Sequence, residues 1–214
     1  MLEVWIRTFE DRLYLAQRLK QRCESEFHCT TRILNTKAPS PQYSEKFILS
    51  LYYALNNSSC DQILILEDDI LPTHDAGPAI LKFRSLELPI LWLSIATQKI
   101  LDNSHKALEG VYLLSEFNNL YYSGAILVKR SFLKSFVEHF LLNHQEFEYP
   151  NFDIQLSLFA KKLFGQIWLA PSYFYTDRSI QSSLDHAASL DPCRILNLIP
   201  EDPQALEKLD IRGK

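Results

Sequence analysis

The chain has 214 residues, 47% hydrophobic and 22% charged, a globular composition with enough apolar material for a sizeable core, which excludes disorder and fibrous repeats. Twenty-two basic against 26 acidic residues give a net charge of −4, which argues against a nucleic-acid binder held by bulk electrostatics. Only 5 glycines leave little room for a glycine-rich phosphate loop, so an anionic ligand must be held another way.

Val4-Trp5-Ile6 is a short apolar run ending at Arg7-Thr8, and Leu13, Ala16, Leu19, Cys23 and Phe27 then recur at helical spacing. Thr8 with Asp11 resembles a capping box, so the chain opens as strand, loop and helix. Cys29–Leu34 predicts a second strand, Ala38–Pro41 a turn, and Ser44–Asn57 a helix with Phe47, Leu51, Ala54 and Leu55 on one side. Ile63–Leu66 is unbroken rather than alternating, the pattern of a strand covered on both faces. Residues 76–87 predict a helix, Ile90–Ala96 a strand, and residues 97–110 a polar loop. Tyr121–Val128 follows as a strand, then a helix capped by Ser131, a helix from Asn151 to Phe164, a strand Ile167–Ala170 and a polar tail over 200–214. Strands alternating with helices predict an α/β domain with a mainly parallel central sheet and helices on both faces. No composition break divides the chain into independent domains.

Cys23, Cys29, Cys60 and Cys193 form no C-x-x-C pair and no zinc spacing, so they are expected to be free thiols in apolar niches. Glu3, Arg7, Glu10, Asp11 and Arg12 interrupt any leader-like start, and no segment approaches the ~20 apolar residues of a membrane span. The expected compartment is the cytoplasm, unless a longer precursor was trimmed. The six histidines form no H-x-x-x-H or H-E-x-x-H pattern, so zinc catalysis has no support.

The most informative stretch is Ile63-Leu64-Ile65-Leu66-Glu67-Asp68-Asp69-Ile70-Leu71-Pro72. Three carboxylates follow directly on a buried strand, and ligands of open α/β sheets bind at the carboxyl ends of strands. Adjacent like charges invite a counter-cation, and hard oxygen ligands suit Mg²⁺ or Mn²⁺ with phosphate oxygens completing the shell. The alternative is that Asp68 and Asp69 merely end the strand ahead of Pro72.

With this triplet the sequence resembles a GT-A-fold glycosyltransferase, Glu67-Asp68-Asp69 matching that family's D-x-D-type motif. Arg7-Thr8 with Arg12 resembles the family's nucleotide-binding start, and Tyr122–Val128 its Gly-Ala strand on the acceptor side. Phe152-Asp153 resembles the segment carrying the catalytic carboxylate of inverting members, and Pro171–Ser183 the C-terminal metal and acceptor loop. The resemblance spans residues 4–186. It implies a single GT-A-like domain: residues 1–97 as the nucleotide-sugar half, 98–199 as the acceptor half, and 200–214 as a tail. It also implies a nucleotide-sugar donor, usually a UDP-sugar, bound with Mn²⁺ or Mg²⁺, and a sugar-containing acceptor.

Carried over residue by residue, Asp69 ligates the metal, while Glu67 and Asp68 contact ribose or metal-bound water. Many relatives place a metal-binding His after the C-terminal proline. Here Tyr175-Thr176-Asp177 stands in that stretch, so Asp177, a water or His186 takes the position. Asp153 is the candidate general base, or else a carboxylate complementing a helix dipole. Arg7, Thr8 and Arg12 are candidates for the nucleotide and Arg178 for the diphosphate; Arg12 is otherwise an exposed helix residue. Two other readings stand beside the transferase. One is a non-catalytic nucleotide-sugar or glycan-binding domain. The other is a sugar-phosphate nucleotidylyltransferase, although Val4–Leu15 lacks the glycine-rich loop that class uses.

Overall fold

The first strand, β1 (Leu2–Phe9), is longer than its apolar run because Arg7, Thr8 and Phe9 stay in the parallel ladder with β2 (Thr30–Thr36). The computed structural model describes residues 1–36, 43–94, 104–108, 110–115, 124–147, 151–170 and 173–176. A single 3₁₀ turn, Glu10–Arg12, leads from β1 into α1 (Leu13–Phe27). The Thr8 hydroxyl donates to Asp68, a partner that the capping-box reading does not anticipate. The chain continues through α2 (Tyr43–Asn56) and β3 (Gln62–Glu67). A two-residue turn at Asp68-Asp69 leads into β4 (Ile70–Pro72) and α3 (Ala76–Arg84).

β5 (Ile90–Trp92) follows, and then an antiparallel hairpin of β6 (His105–Leu108) and β7 (Val111–Leu114) turns at Gly110 with φ +76°. Residues 104–108 therefore correct the expectation of a polar loop. All four β6 residues are exposed at the end of the sheet, so burial imposes no apolar period on them. β8 (Ala125–Lys129) runs straight into α4 (Arg130–Asn143). That helix starts at Arg130 with no side-chain cap, so Ser131 lies inside its first turn rather than capping it. The chain then passes through α5 (Phe152–Phe164), β9 (Ile167–Leu169) and β10 (Phe174–Thr176). The α5 helix closes on Gly165 at φ +71°, whose N–H donates to the Lys161 carbonyl at 2.8 Å, the left-handed cap that glycine takes without a Cβ clash.

Among the described residues, eight strands form one sheet in the order β2-β1-β3-β8-β5-β9-β7-β6. β2, β1 and β3 are parallel, and β8 runs antiparallel between β3 and β5. Residues of the expected donor half and acceptor half thus share one sheet. Side chains alternate between two covered faces. Trp5, Ile63, Ile65, Trp92, Ile126 and Val128 pack with α2, α4 and α5. Val4, Ile6, Leu64, Leu66, Leu91 and Leu127 pack with α1 and α3. Two-sided burial explains the unbroken apolarity of β3, as its sequence predicts. Cys23 and Cys60 are buried free thiols. No helix among the described residues is long and apolar enough to cross a membrane.

Candidate functional site

The strand order β2-β1-β3 has a switch point: the chain leaves β1 toward β2, then returns past β1 to β3. Ligand crevices of open α/β sheets lie at the carboxyl ends of strands at such a point. Arg7, two residues before the end of β1, and Glu67, the last residue of β3, are register partners with their side chains on the same face. The Asp68-Asp69 turn is fixed from both sides. Glu67 N–H donates to the Gly124 carbonyl at 2.9 Å, and Asp68 N–H to the Arg7 carbonyl at 3.1 Å. The Gly124-Ala125 segment therefore abuts the acidic edge. Ala125 N–H is itself held by the hydroxyl of buried Ser94 at 2.8 Å.

Arginines neutralise the three carboxylates. Arg7 pairs with Glu67 and lies 3.6 Å from Asp153 at the start of α5. Its guanidinium sits over the rings of Phe47, at 5.1 Å, and Phe152, at 5.7 Å. Arg12 Nη2 is 2.5 Å from Asp68 Oδ1 and 3.2 Å from Asp69 Oδ2. The Thr8 hydroxyl donates to the other Asp68 oxygen at 2.5 Å. Arg12 is 8% exposed, which corrects its reading as an exposed helix residue: it is buried because its charge is matched. The counter-cation that the triplet invites is, within the chain itself, a pair of guanidinium groups. Burial pushes the Asp68 carboxyl up to about 6, against the lowering effect of the Thr8 hydrogen bond and the Arg12 charge.

One acidic atom is left over. Asp69 Oδ1 is buried and has no hydrogen-bond partner among the described residues, a costly state for a carboxylate oxygen. Among the described residues no three His, Cys, Asp or Glu side chains are grouped to hold a metal ion. The donor set therefore fits a cation that takes one direct carboxylate oxygen and fills its shell with phosphate oxygens and water, as Mg²⁺ commonly does.

The sequence-predicted residues Arg7, Thr8, Arg12, Glu67, Asp68, Asp69 and Asp153 come together at this edge. Asp177, Arg178 and His186 lie outside the described residues. Last among the described residues, Thr176 is in register with Ile70, the residue after Asp69. Sequence reasoning missed Phe47 and Phe152 as the rings flanking Arg7, because each also reads as ordinary core at helical spacing. It also missed Ser44, whose hydroxyl accepts the Phe152 N–H at 3.1 Å and so caps α5 from another helix. Asn151 occupies the N-cap position but makes no side-chain capping bond.

These features define a GT-A-like α/β fold with an acidic edge at its switch point. Among solved structures, the chain is similar to a glycosyltransferase involved in the glycosylation of the major capsid of PBCV-1, with a TM-score of 0.50 and 11% identity over 76% of this chain and 75% of that one. Weaker likenesses extend to A197 from STIV, with a TM-score of 0.48 and 13% identity over 85% and 86% of the two chains. UDP-glucose pyrophosphorylase complexed with UDP-glucose gives 0.48 and 12% over 82% and 75%. At these identities the likeness is one of fold. No family model and no curated protein matches the chain.

Proposed function

We propose that the chain is a metal-dependent glycosyltransferase that moves a sugar from a nucleotide-sugar, a UDP-sugar first among the candidates, to a hydroxyl of a glycan or glycoconjugate. The observation that carries this reading is the buried Oδ1 of Asp69, without a hydrogen-bond partner among the described residues, at the carboxyl end of the central strand. In a GT-A-like fold that edge is where a donor would lie.

Mn²⁺ or Mg²⁺, when bound, stabilises negative charge on the departing nucleoside diphosphate. Asp69 is the proposed direct ligand, and Asp177 or His186 the proposed further one. The register of Thr176 with Ile70, the residue after Asp69, supports the choice of a residue that follows Thr176 in the sequence. Glu67 and Asp68 are assigned to ribose or metal-bound water, with Thr8 holding the Asp68 carboxylate in orientation. Arg7 and Arg12 contribute positive charge for the nucleotide, and Arg178 is assigned to the diphosphate. Asp153 accepts the acceptor hydroxyl proton at a carboxylate oxygen as that hydroxyl attacks the anomeric carbon. A single displacement of this kind inverts the anomeric configuration. Arg7, 3.6 Å away, fixes the direction in which Asp153 points.

The test is release of UDP from a panel of labelled UDP-sugars with Mn²⁺ and sugar acceptors. Release is expected with Mn²⁺ and not in a chelator, and D69N abolishes it while the circular dichroism spectrum stays unchanged. D153N lowers kcat by about 10²–10⁴-fold with donor binding retained. Chelator-insensitive release, or full activity in D69N, overturns the metal-dependent mechanism. The pairing of Asp153 with Arg7 favours a second reading, a non-catalytic nucleotide-sugar-binding domain in which Asp153 is structural. Donor binding without turnover across the panel is its signature.

A further inference from the structure

We infer that Arg12 gates the metal at the acidic edge: its guanidinium holds Asp68 and Asp69 and must leave Asp69 for the metal to bind well. This rests on the reading of that edge as a metal–diphosphate site. Arg12 ends the single 3₁₀ turn between β1 and α1, and it bridges two adjacent carboxylates with one nitrogen, 2.5 Å from Asp68 and 3.2 Å from Asp69. The oxygen of Asp69 that it touches is Oδ2, and the oxygen left for a metal is Oδ1 of the same carboxylate. A divalent cation on Oδ1 would therefore stand a few ångström from a unit positive charge, in a site where both aspartates are at most 8% exposed and water screens poorly.

The repulsion has one relief that costs no charge. A nucleoside diphosphate arriving with the metal brings at least two negative charges, and a guanidinium binds phosphate oxygens with the same planar fork that it offers carboxylates. Arg12 then moves from the aspartates to the diphosphate, and the metal replaces it at Asp69. Two consequences follow. Metal alone binds weakly, and nucleotide strengthens metal binding by removing the competing cation, a coupling that is reciprocal. The edge thereby loads metal and donor together rather than filling with metal first.

The experiment measures Mn²⁺ binding by the electron paramagnetic resonance signal of free Mn²⁺, with Mn²⁺ alone and with Mn²⁺ plus UDP, in wild type, R12M and R12K. R12M is expected to bind Mn²⁺ alone tighter than wild type by about tenfold or more, since a nearby unit charge is gone. It is also expected to lose most of the enhancement that UDP gives the wild type, while R12K, with its charge kept, stays near wild type in Mn²⁺ alone. Equal Mn²⁺ affinity in R12M and wild type overturns the gate and leaves the metal site standing. Mn²⁺ binding to none of the proteins, with or without UDP, overturns the metal site and the gate together. Should R12M fail to fold, the Arg12 Nε–H resonance of the wild type decides. It shifts little with Mg²⁺ alone and strongly with Mg²⁺ and UDP if the guanidinium changes partner, and a resonance unmoved at saturation overturns the gate.

Discussion

Arg7 shows how much one side chain organises at this edge. It stands two residues before the end of β1, its charge meets Glu67 on the neighbouring strand and Asp153 on a helix far along the chain, and its guanidinium lies against two aromatic rings. Removing it leaves two carboxylates facing each other in a half-dry site. R7M is expected to lower stability by about 2–4 kcal/mol in urea unfolding, because breaking a buried pair strands the partner charge, moderated by the water that Glu67 and Asp153 still reach. R7K should recover only part of this, since an ammonium cannot fork to two carboxylates or lie flat on a ring. The sequence marked Arg7, Glu67 and Asp153 as candidates but could not reveal that they are partners. Their separation along the chain is closed only by strand register and helix packing.

At the scale of elements, the start of α5 is set by another helix. Ser44, in the first turn of α2, accepts the Phe152 N–H, while Asn151 at the N-cap makes no capping bond. S44A is therefore expected to cost about 1 kcal/mol, the usual worth of a cap, and N151A to stay within about 0.5 kcal/mol. Chemical denaturation of the two variants side by side decides the matter; the reverse ranking would mean that Asn151 caps the helix. The same helix start carries Asp153, so S44A should also lower kcat, with the donor KM little changed, if that carboxylate works as the base in the proposed site.

The junction of β1 and β2 carries its own pH sensitivity. Burial alone would raise the Glu3 pKa, but hydrogen bonds from Trp5 at 2.8 Å and Arg32 at 2.9 Å outweigh it and hold the carboxyl below its ordinary 4.5. A lowered carboxyl pKa adds stability that is complete above 4.5 and is lost as pH falls through the folded-state value. Urea midpoints measured from pH 5 downward should fall less steeply in E3Q than in wild type; parallel curves would show that Glu3 contributes nothing. The β6–β7 hairpin and the Ser44 cap escaped the sequence for one physical reason. Exposed edge residues and cross-element hydrogen bonds leave no periodic mark.

At the scale of the whole molecule, the order β2-β1-β3 places α1 and α2 on opposite faces and leaves the ends of β1 and β3 side by side. That arrangement, rather than any local motif, makes an edge where Arg7, Arg12 and the three acidic residues meet. A ligand bound there stabilises the entire fold. Mn²⁺ with UDP at about 100 times its dissociation constant should add about 2.7 kcal/mol of stability and raise Tm by about 5–10 °C. Either component alone should add far less, and D69N should show no shift with the pair. A wild-type Tm indifferent to Mn²⁺ and UDP together would place the donor site elsewhere.

The sequence by itself determined the α/β alternation, the two-sided burial of β3 and the acidic run at its end, because each is written in residues adjacent in the chain or one helical turn apart. It also marked the side chains able to do the chemistry. Only the tertiary structure decided how those charges are shared. Arginines from β1 and the turn after it take up the carboxylates at and just after the end of β3, and one oxygen of Asp69 has no hydrogen-bond partner among the described residues. Coulomb attraction acts across space and is blind to chain separation. The pairing therefore follows strand order and register, which no local pattern of residues records.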